Sequence, residues 1–243
     1  MNKGTFTLEL NEELTPGMHR LTFSGDTSAI TAPGQFVEVA IPGYFLRRPF
    51  SVAGYDDGSL TLAVRVRGEG TAVLDAMKPG AKVDILTGLG NGFDISNAGE
   101  RPLLIGGGSG VPALWPLCRA LVEAGAEVYA ALGFNSAAEN FYVNDFIALG
   151  AVTAVYTADG SMGHRGIVTD ALSEFEYTSV YACGAVPMLQ IVDRQAKSAA
   201  QFSLEARMGC GFGACMGCTI ETIHGPKRVC KDGPVFRKGE LVW

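Results

Sequence analysis

The sequence predicts a multi-domain β + α/β protein, in which an antiparallel β-barrel is followed by a Rossmann-like parallel α/β domain and a small C-terminal domain. Before residue 98, six short alternating runs separated by turn residues are typical of a small barrel. After that point, strands alternate with helical stretches, which is typical of a parallel sheet. Four of the six cysteines follow residue 202. We therefore expect domains at residues 1–97, 98–202 and 203–243.

The composition is that of a folded globular protein. Hydrophobic residues make up 47% of the 243 residues and charged residues 18%. A formal net charge of −6 argues against a nucleic-acid partner, which requires a basic surface. The chain shows neither an apolar signal segment nor a run of eighteen apolar residues. We therefore expect a cytoplasmic protein with no membrane partner, in a compartment where thiols stay reduced.

The barrel prediction depends on short strands bounded by turn sequences that contain glycine, proline and aspartate. The expected strands cover residues 5–10, 19–23, 36–41, 49–53, 60–66 and 83–86. One helix is expected over residues 71–77, after Gly70, with Thr71 as its N-cap. The N-terminus of such a helix offers N–H groups to a diphosphate, although an ordinary capped helix has the same pattern.

The α/β prediction depends on a glycine-rich turn between a strand and a helix. A strand at residues 101–105 precedes a helix at 111–123, and the turn between them is Gly106, Gly107, Gly108, Ser109 and Gly110. This order is typical of a unit that binds nucleotide phosphates, although Val111 stands where the strict motif has its last glycine. Buried strands are expected at 126–134 and 151–156. Because no arginine occurs between Gly133 and Asn140, NAD is favoured over NADP.

The cysteines of the third domain have the spacing of a metal-binding site. Cys210, Cys215, Cys218 and Cys230 follow the C-x4-C-x2-C…C pattern of plant-type [2Fe–2S] ferredoxins, and half of the residues between the first three are glycine. A structural zinc site is an alternative, but only Cys215 and Cys218 form a C-x2-C pair. A disulfide knot would need an oxidising compartment. Cys118 lies on the apolar side of a predicted helix and is expected in the core.

Several motifs occur in the order used by the ferredoxin–NADP⁺ reductase superfamily, which this chain resembles. They are Arg48-Pro49-Phe50-Ser51, Gly70-Thr71, the glycine-rich turn and Cys183-Gly184. The resemblance implies that the first motif holds FAD, with Arg48 on the diphosphate, Phe50 packed on the flavin and Ser51 bonded to flavin N5. Phe50 stands where the family usually has tyrosine, so a hydrogen bond from that hydroxyl is lost.

The same resemblance implies further cofactor contacts. Val64, Arg65 and Val66 would lie along the isoalloxazine or the diphosphate, and Gly70 and Thr71 at the diphosphate. Cys183 and Gly184 would lie beside the nicotinamide of NAD. Ser51 and Cys183 are therefore the expected catalytic residues.

A closer resemblance covers essentially the whole chain. The segments 89–93, 106–112, 205–218 and 229–236 are similar to those of electron-transfer subunits of class 1B dihydroorotate dehydrogenase. The resemblance implies a 2+2 heterotetramer with an FMN-containing catalytic subunit that oxidises dihydroorotate to orotate in pyrimidine biosynthesis. Electrons would pass from that FMN through the cluster and FAD to NAD⁺, so the chain would be an NAD-linked oxidoreductase subunit without its own dihydroorotate site.

Two other functions remain open on the sequence. The small flavin subunit of NADH-dependent ferredoxin:NADP⁺ oxidoreductase or of sulfide dehydrogenase has a similar tail, but it tends to carry aspartate at the position of Cys210. A zinc-bearing scaffold without catalytic activity is the alternative outside enzymes.

Overall fold

The computed structural model describes residues 1–243 and contains a closed six-stranded barrel, a seven-stranded sheet and a two-stranded sheet. The strands are β1 (Asn2–Thr15), β2 (Met18–Ser24), β3 (Phe36–Val39), β4 (Arg48–Asp56), β5 (Ser59–Arg65), β6 (Lys82–Leu89), β7 (Pro102–Gly107), β8 (Tyr129–Phe134), β9 (Val152–Thr157), β10 (His164–Arg165), β11 (Ser179–Cys183), β12 (Ala200–Ser203), β13 (Thr219–Ile220), β14 (Lys227–Arg228) and β15 (Val235–Arg237). The helices are α1 (Glu69–Asp75), α2 (Trp115–Glu123), α3 (Val143–Ala148), α4 (Ala171–Glu174), α5 (Val186–Gln195) and α6 (Val229–Asp232). Short 3-10 helices cover Gly108–Gly110, Pro112–Leu114, Ala137–Glu139 and Val168–Asp170. No helix is long and apolar enough to cross a membrane.

The barrel closes in the order β1-β2-β5-β4-β3-β6, with every neighbouring pair antiparallel. Its interior is filled by fully buried side chains such as Phe6, Leu21 and Val64. These side chains recur at every second position, because successive residues of a strand point to opposite faces. The six-stranded antiparallel barrel predicted from the sequence is confirmed.

Helix α1 begins two residues earlier than predicted. Its N-cap is Gly68. The hydroxyl of Thr71 lies within the first turn, where it accepts hydrogen bonds from the N–H groups of Arg67 (2.9 Å) and Gly68 (3.1 Å). The prediction of Thr71 as the N-cap is therefore wrong, because this hydroxyl bonds back to the residues that precede the helix.

The seven-stranded sheet has the order β10-β9-β8-β7-β11-β12-β15 and is parallel except for β15. Alternate residues of β7 pack into the two faces, with Leu104 in one hydrophobic core and Leu103 and Ile105 in the other. The chain leaves β7 toward β8 on one side and later returns as β11 on the other. Nucleotides bind at such a reversal of strand order, outside the carboxyl ends of the strands.

The C-terminal segment is joined to both larger units. Strand β15 pairs antiparallel with β12 at the edge of the sheet. Asn91, just after the last barrel strand, accepts a hydrogen bond from Val235 N (2.9 Å) and donates one from Nδ2 to Val235 O (2.8 Å). Asn91 N also donates to Gly233 O (2.7 Å). These bonds hold the segment that comes after Cys230 against the barrel.

We expect the Gly110→Ala variant to be markedly less stable than the parent protein. A Cβ at Gly110 would overlap the carbonyl group of Cys183, and a backbone atom cannot rotate away as a side chain can. Such overpacking should lower Tm by about 5 °C or more, measured by differential scanning calorimetry. Gly68→Ala is the control, since no atom lies within 4 Å of its added Cβ. An unchanged Tm in Gly110→Ala would contradict this close approach.

Candidate functional site

A cavity of about 930 Å³ lies at the carboxyl ends of β7, β8 and β11, and we call it the nucleotide pocket. Gly107, Gly108 and Ser109 of the turn after β7 line it, together with Gly184 after β11. The two turns touch, because a Cβ on Gly184 would lie 3.2 Å from Gly107 Cα. The pocket is therefore walled by backbone at the point where a diphosphate must approach closely.

The glycine-rich turn does not use all of its residues in the same way. Gly106 and Gly110 are absent from the pocket wall. A Cβ at Gly106 would lie 3.0 Å from Val111 Cγ2, and one at Gly110 would overlap the Cys183 carbonyl. These two glycines allow close packing of the turn, while the middle three residues face the cavity.

The far end of the nucleotide pocket carries a carboxylate. Asn135 and Glu139 line it just beyond β8. Asn135 Nδ2 donates a hydrogen bond to Glu139 Oε2 at 2.8 Å, which orients the side chain. A carboxylate in this place accepts hydrogen bonds from ribose hydroxyls and repels a 2′-phosphate.

A second cavity of about 270 Å³ lies between the barrel and the parallel sheet, and we call it the flavin pocket. Pro49, Phe50 and Ser51 of β4 line it, as do Arg65 and Thr71. Phe50 and Ser51 both face the cavity although they are adjacent. Before Val52, β4 pairs with β3 but not with β5, so simple alternation does not govern this part of the strand.

Arg48 lies beside the start of α1, outside the wall of the flavin pocket. Its Nη1 donates to Leu46 O at 2.7 Å, and its guanidinium lies 5.2 Å from the centre of the Tyr44 ring. A Cβ on Gly70 would lie 3.5 Å from Arg48 Nε. The structure therefore brings Arg48, Gly70 and Thr71 together, as the diphosphate prediction requires.

Two of the predicted flavin contacts are not in the pocket wall. The Val64 side chain is fully buried inside the barrel. Val66 is also absent from the wall, and its N–H bonds to Gly17 O. For Val64 the reason is the period of the strand, because its side chain points away from the face that Arg65 presents to the cavity. Val66 lies just beyond the end of β5.

Several wall residues are missed by sequence reasoning. Ala63 and Arg67 alternate with Arg65, so strand period alone could have identified them. The others come from β3, the sheet domain, the segment before Cys210 or the residue before β15, and only the tertiary fold reveals them: Phe36, Pro112, Ala113, Leu204, Glu205, Ala206, Met208 and Pro234. Ser109, predicted as a residue of the nucleotide site, also lines this pocket.

Cys183 lies behind the wall of the nucleotide pocket. It is fully buried at the end of β11, next to Ser203 of β12. Burial raises the pKa of its thiol to about 12; the charge of Glu205 adds to this rise and a hydrogen bond with Ser203 opposes it. The thiol is therefore protonated at neutral pH, and its neighbour Gly184 is the residue that faces the cavity.

The four C-terminal cysteines lie in two pairs. Backbone contacts link Cys210 with Cys215, and Cys218 with Cys230. Backbone N–H groups point at the sulfurs: Cys215 N lies 3.4 Å from Cys210 Sγ, and Cys230 N lies 3.4 Å from Cys218 Sγ. Burial opposes ionisation of Cys210, but these and nearby N–H groups outweigh it and lower its pKa to about 6.

This pairing fits a dinuclear cluster. A [2Fe–2S] cluster held by four cysteines takes two thiolates at each iron, whereas a structural zinc ion needs four donors around one point. The donor set therefore suits the cluster that the spacing predicts.

The cysteine loop packs directly on barrel strand β3. Gly211 has a left-handed φ of +76°, and a Cβ there would lie 2.5 Å from Glu38 Cγ. Glu38 is 1% exposed, and neither of its carboxylate oxygens has a hydrogen-bond partner. Burial raises its pKa to about 7; Arg47 opposes the rise and Cys210 adds to it.

Comparisons with known proteins agree with these features. Residues 205–242 match the model of the iron–sulfur cluster binding domain of dihydroorotate dehydrogenase B. The chain is 44% identical to the dihydroorotate dehydrogenase B (NAD(+)) electron transfer subunit of Bacillus caldolyticus over 92% of each chain. It is 41% identical to the same subunit of Shouchella clausii over 99% of this chain and 98% of that one. Among solved structures, it superposes on a chain of an NADH-dependent reduced ferredoxin-NADP oxidoreductase with a TM-score of 0.89 and 29% identity, over 98% of this chain and 90% of that one.

We expect alkylation of cluster-free, reduced protein to separate the six cysteines. Cys215 is exposed and the pKa of Cys210 is lowered to about 6, so iodoacetamide should label these two first. Cys118 and Cys183 are buried, with pKa values raised by burial to about 12, and should be labelled only after unfolding. Peptide mass spectrometry over a time course measures the order, with guanidinium-unfolded protein as the control. Labelling of Cys183 as fast as Cys215 would contradict its burial.

Proposed function

The chain belongs to the family of electron transfer subunits of dihydroorotate dehydrogenase B (NAD(+)), and we propose that it passes electrons between an FMN-containing partner subunit and NAD⁺ through a [2Fe–2S] cluster and FAD. The observation that carries the proposal is the shared wall of the two pockets. Arg67, Ser109, Glu205 and Ala206 line both cavities, and the segment that contributes the last two leads to Cys210. Two organic cofactors and a cluster can thus lie in one continuous series.

In this proposal, the flavin pocket holds FAD. Phe50 packs on the flavin, Ser51 bonds its N5, and Arg65 lies along its edge. Arg48, Gly70 and Thr71 take the diphosphate, which is supported by the position of Arg48 beside Gly70 in the first turn of α1. Pro49 shapes the wall between these groups. Backbone contacts of Val64 and Val66 remain compatible with the proposal, while the Val64 side chain is buried inside the barrel.

The nucleotide pocket holds NAD in this proposal. The turn from Gly106 to Gly110 takes the diphosphate, with Gly107, Gly108 and Ser109 in direct contact. Gly184 adjoins the nicotinamide, and the protonated Cys183 thiol supports it from behind. Glu139 supports NAD over NADP, because its carboxylate faces the cavity.

The cluster is held by Cys210, Cys215, Cys218 and Cys230. When bound, the flavin accepts or donates a hydride and exchanges single electrons, which links the two-electron chemistry of NAD to the one-electron chemistry of the cluster. We place the domain boundaries after residues 97 and 202, with β15 completing the sheet of the middle domain.

The dihydroorotate site belongs to the partner in this proposal. The nucleotide pocket and the flavin pocket are both assigned to cofactors in this proposal. The partner is the FMN-containing dihydroorotate dehydrogenase catalytic subunit, in a 2+2 heterotetramer that makes orotate for pyrimidine biosynthesis in the cytoplasm.

A second candidate function is favoured by the TM-score of 0.89 to a chain of an NADH-dependent reduced ferredoxin-NADP oxidoreductase. The two candidates differ in the electron donor. Reduction of NAD⁺ by dihydroorotate in the complex purified with its native partner supports the first, and activity with reduced ferredoxin alone supports the second.

We expect the Cys215→Ser variant to lose transfer to the partner while keeping the reaction of NADH with ferricyanide. The cluster needs four thiolates, whereas the two cofactor pockets do not include Cys215. Dihydroorotate-dependent NAD⁺ reduction should fall to background, and the iron content should fall from about two irons per chain.

Cys118→Ala is the matched control, because Cys118 is buried in the sheet core and should leave iron content unchanged. Equal loss of both activities in Cys215→Ser would contradict the proposal that the cluster lies between FAD and the partner subunit.

We expect the Arg48→Ala variant to bind FAD at least about tenfold more weakly, because a charge-assisted bond to a diphosphate is lost. Flavin fluorescence during titration of the flavin-free protein measures the dissociation constant. Lys78→Ala, an exposed change just after α1, is the control. The same FAD affinity in Arg48→Ala and the parent would exclude Arg48 from the diphosphate site.

A further inference from the structure

The residues between β12 and the cysteine loop form a wall common to the three proposed cofactor sites. We call residues 204–208 the connecting segment. Leu204 N donates to Pro234 O (2.9 Å), which fixes the start of this segment. Glu205 and Ala206 line both pockets, Met208 lines only the flavin pocket, and Arg207 lines only the nucleotide pocket.

Arg207 is the basic residue that lines the nucleotide pocket but not the flavin pocket. Arg67 and Arg207 are the only lysine or arginine residues in its wall. Arg67 also lines the flavin pocket and interacts electrostatically with Glu205. Arg207 is exposed to the cavity and takes part in none of the ion pairs of the structure. Its guanidinium is therefore free to pair with an anion.

The chemistry of a dinucleotide matches this arrangement. Its diphosphate carries negative charge, and a guanidinium binds phosphate oxygens through two parallel N–H bonds. The glycine-rich turn supplies N–H groups but no positive side chain. Arg207 is distant from that turn in sequence, yet it lies in the same cavity wall.

The connecting segment is also attached to the cysteine loop. Ala206 and Met208 pack against the hydrophobic core that contains Cys218 and Cys230. Gly209 comes directly afterwards, and a Cβ there would lie 3.2 Å from Cys215 Sγ. The backbone of Arg207 therefore lies between residues that line the nucleotide pocket and residues that pack beside the thiols.

We propose that Arg207 binds the phosphates of the pyridine nucleotide, and that nucleotide binding is thereby coupled to the environment of the cluster. The proposal rests on the proposed NAD and cluster sites and adds to them a binding residue supplied by the cluster-bearing segment. Coupling of this kind is reciprocal. If the bound nucleotide changes the affinity of the protein for its cluster, the cluster changes the affinity for the nucleotide by the same factor.

The binding part is tested on the cluster-loaded protein by calorimetric titration with NAD⁺ and with ADP-ribose, which keeps the diphosphate but lacks nicotinamide. Arg207→Ala should weaken both ligands about tenfold or more and by the same factor, and Arg207→Lys should restore part of the affinity. Arg101→Ala is the control, because Arg101 precedes β7, at the opposite end of that strand from the pocket. Affinities within about twofold of the parent, or a loss for NAD⁺ alone, would overturn the role of Arg207 at the phosphates.

The coupling part is tested by electron paramagnetic resonance of the dithionite-reduced protein with and without ADP-ribose, which accepts no electrons. The g-values of the cluster should shift in the parent protein. They should not shift in Arg207→Ala, even at ADP-ribose concentrations that saturate its weakened site. An unchanged spectrum in the parent would overturn the coupling.

These outcomes are distinct from failure of the proposed function. A parent protein that binds neither NAD⁺ nor ADP-ribose would overturn both the NAD site and the role of Arg207. A parent that binds both, with Arg207→Ala binding equally well, would overturn the role of Arg207 alone.

Discussion

The site depends on the close approach of two backbone turns at the carboxyl ends of β7 and β11. A Cβ at Gly110 would overlap the carbonyl of Cys183, and one at Gly184 would lie only 3.2 Å from Gly107 Cα. Because β7 and β11 are neighbours on which the strand order reverses, this contact produces the cleft between their ends. The floor of this cleft is formed by backbone, and the Cys183 thiol behind it is buried and protonated. The next strand, β12, ends beside the same cleft.

The chain beyond β12 is constrained at both ends. The connecting segment starts from the bond between Leu204 N and Pro234 O, and Asn91 holds Gly233 and Val235 at the end of the barrel. The cysteine loop is thus held at both of its ends and is not a free appendage. This explains how a loop with little regular structure can hold four thiols in two ordered pairs.

The features that local patterns encode could be predicted from the sequence. Period-two alternation identifies all six barrel strands, and the cysteine spacing identifies a ligand set whose two-pair geometry the structure contains. The failures are of two kinds. Thr71 is predicted as an N-cap because a capping residue and a residue within the first turn look alike in sequence. The connecting segment is not predicted as a pocket wall, because nothing in Glu205 or Arg207 records which strand ends lie beside them. Val64 lies between success and failure. The family resemblance assigns its strand to the flavin site, whereas strict alternation along that strand places the Val64 side chain in the barrel core.

Strand β3 contributes to the flavin pocket and also contacts the cysteine loop. Phe36 lines the flavin pocket, and Glu38, two residues further, is covered by Gly211 of the loop. Two residues of a strand span about 7 Å, so the wall of the flavin pocket and the surface that the cysteine loop covers adjoin along β3. A side chain larger than hydrogen at Gly211 would push the loop off β3, because its Cβ would overlap Glu38 and its φ of +76° would be strained. At Gly110 the close neighbour is the Cys183 backbone carbonyl, whereas at Gly211 it is the buried Glu38 side chain, so in both places the packing of a proposed site depends on the absence of a side chain.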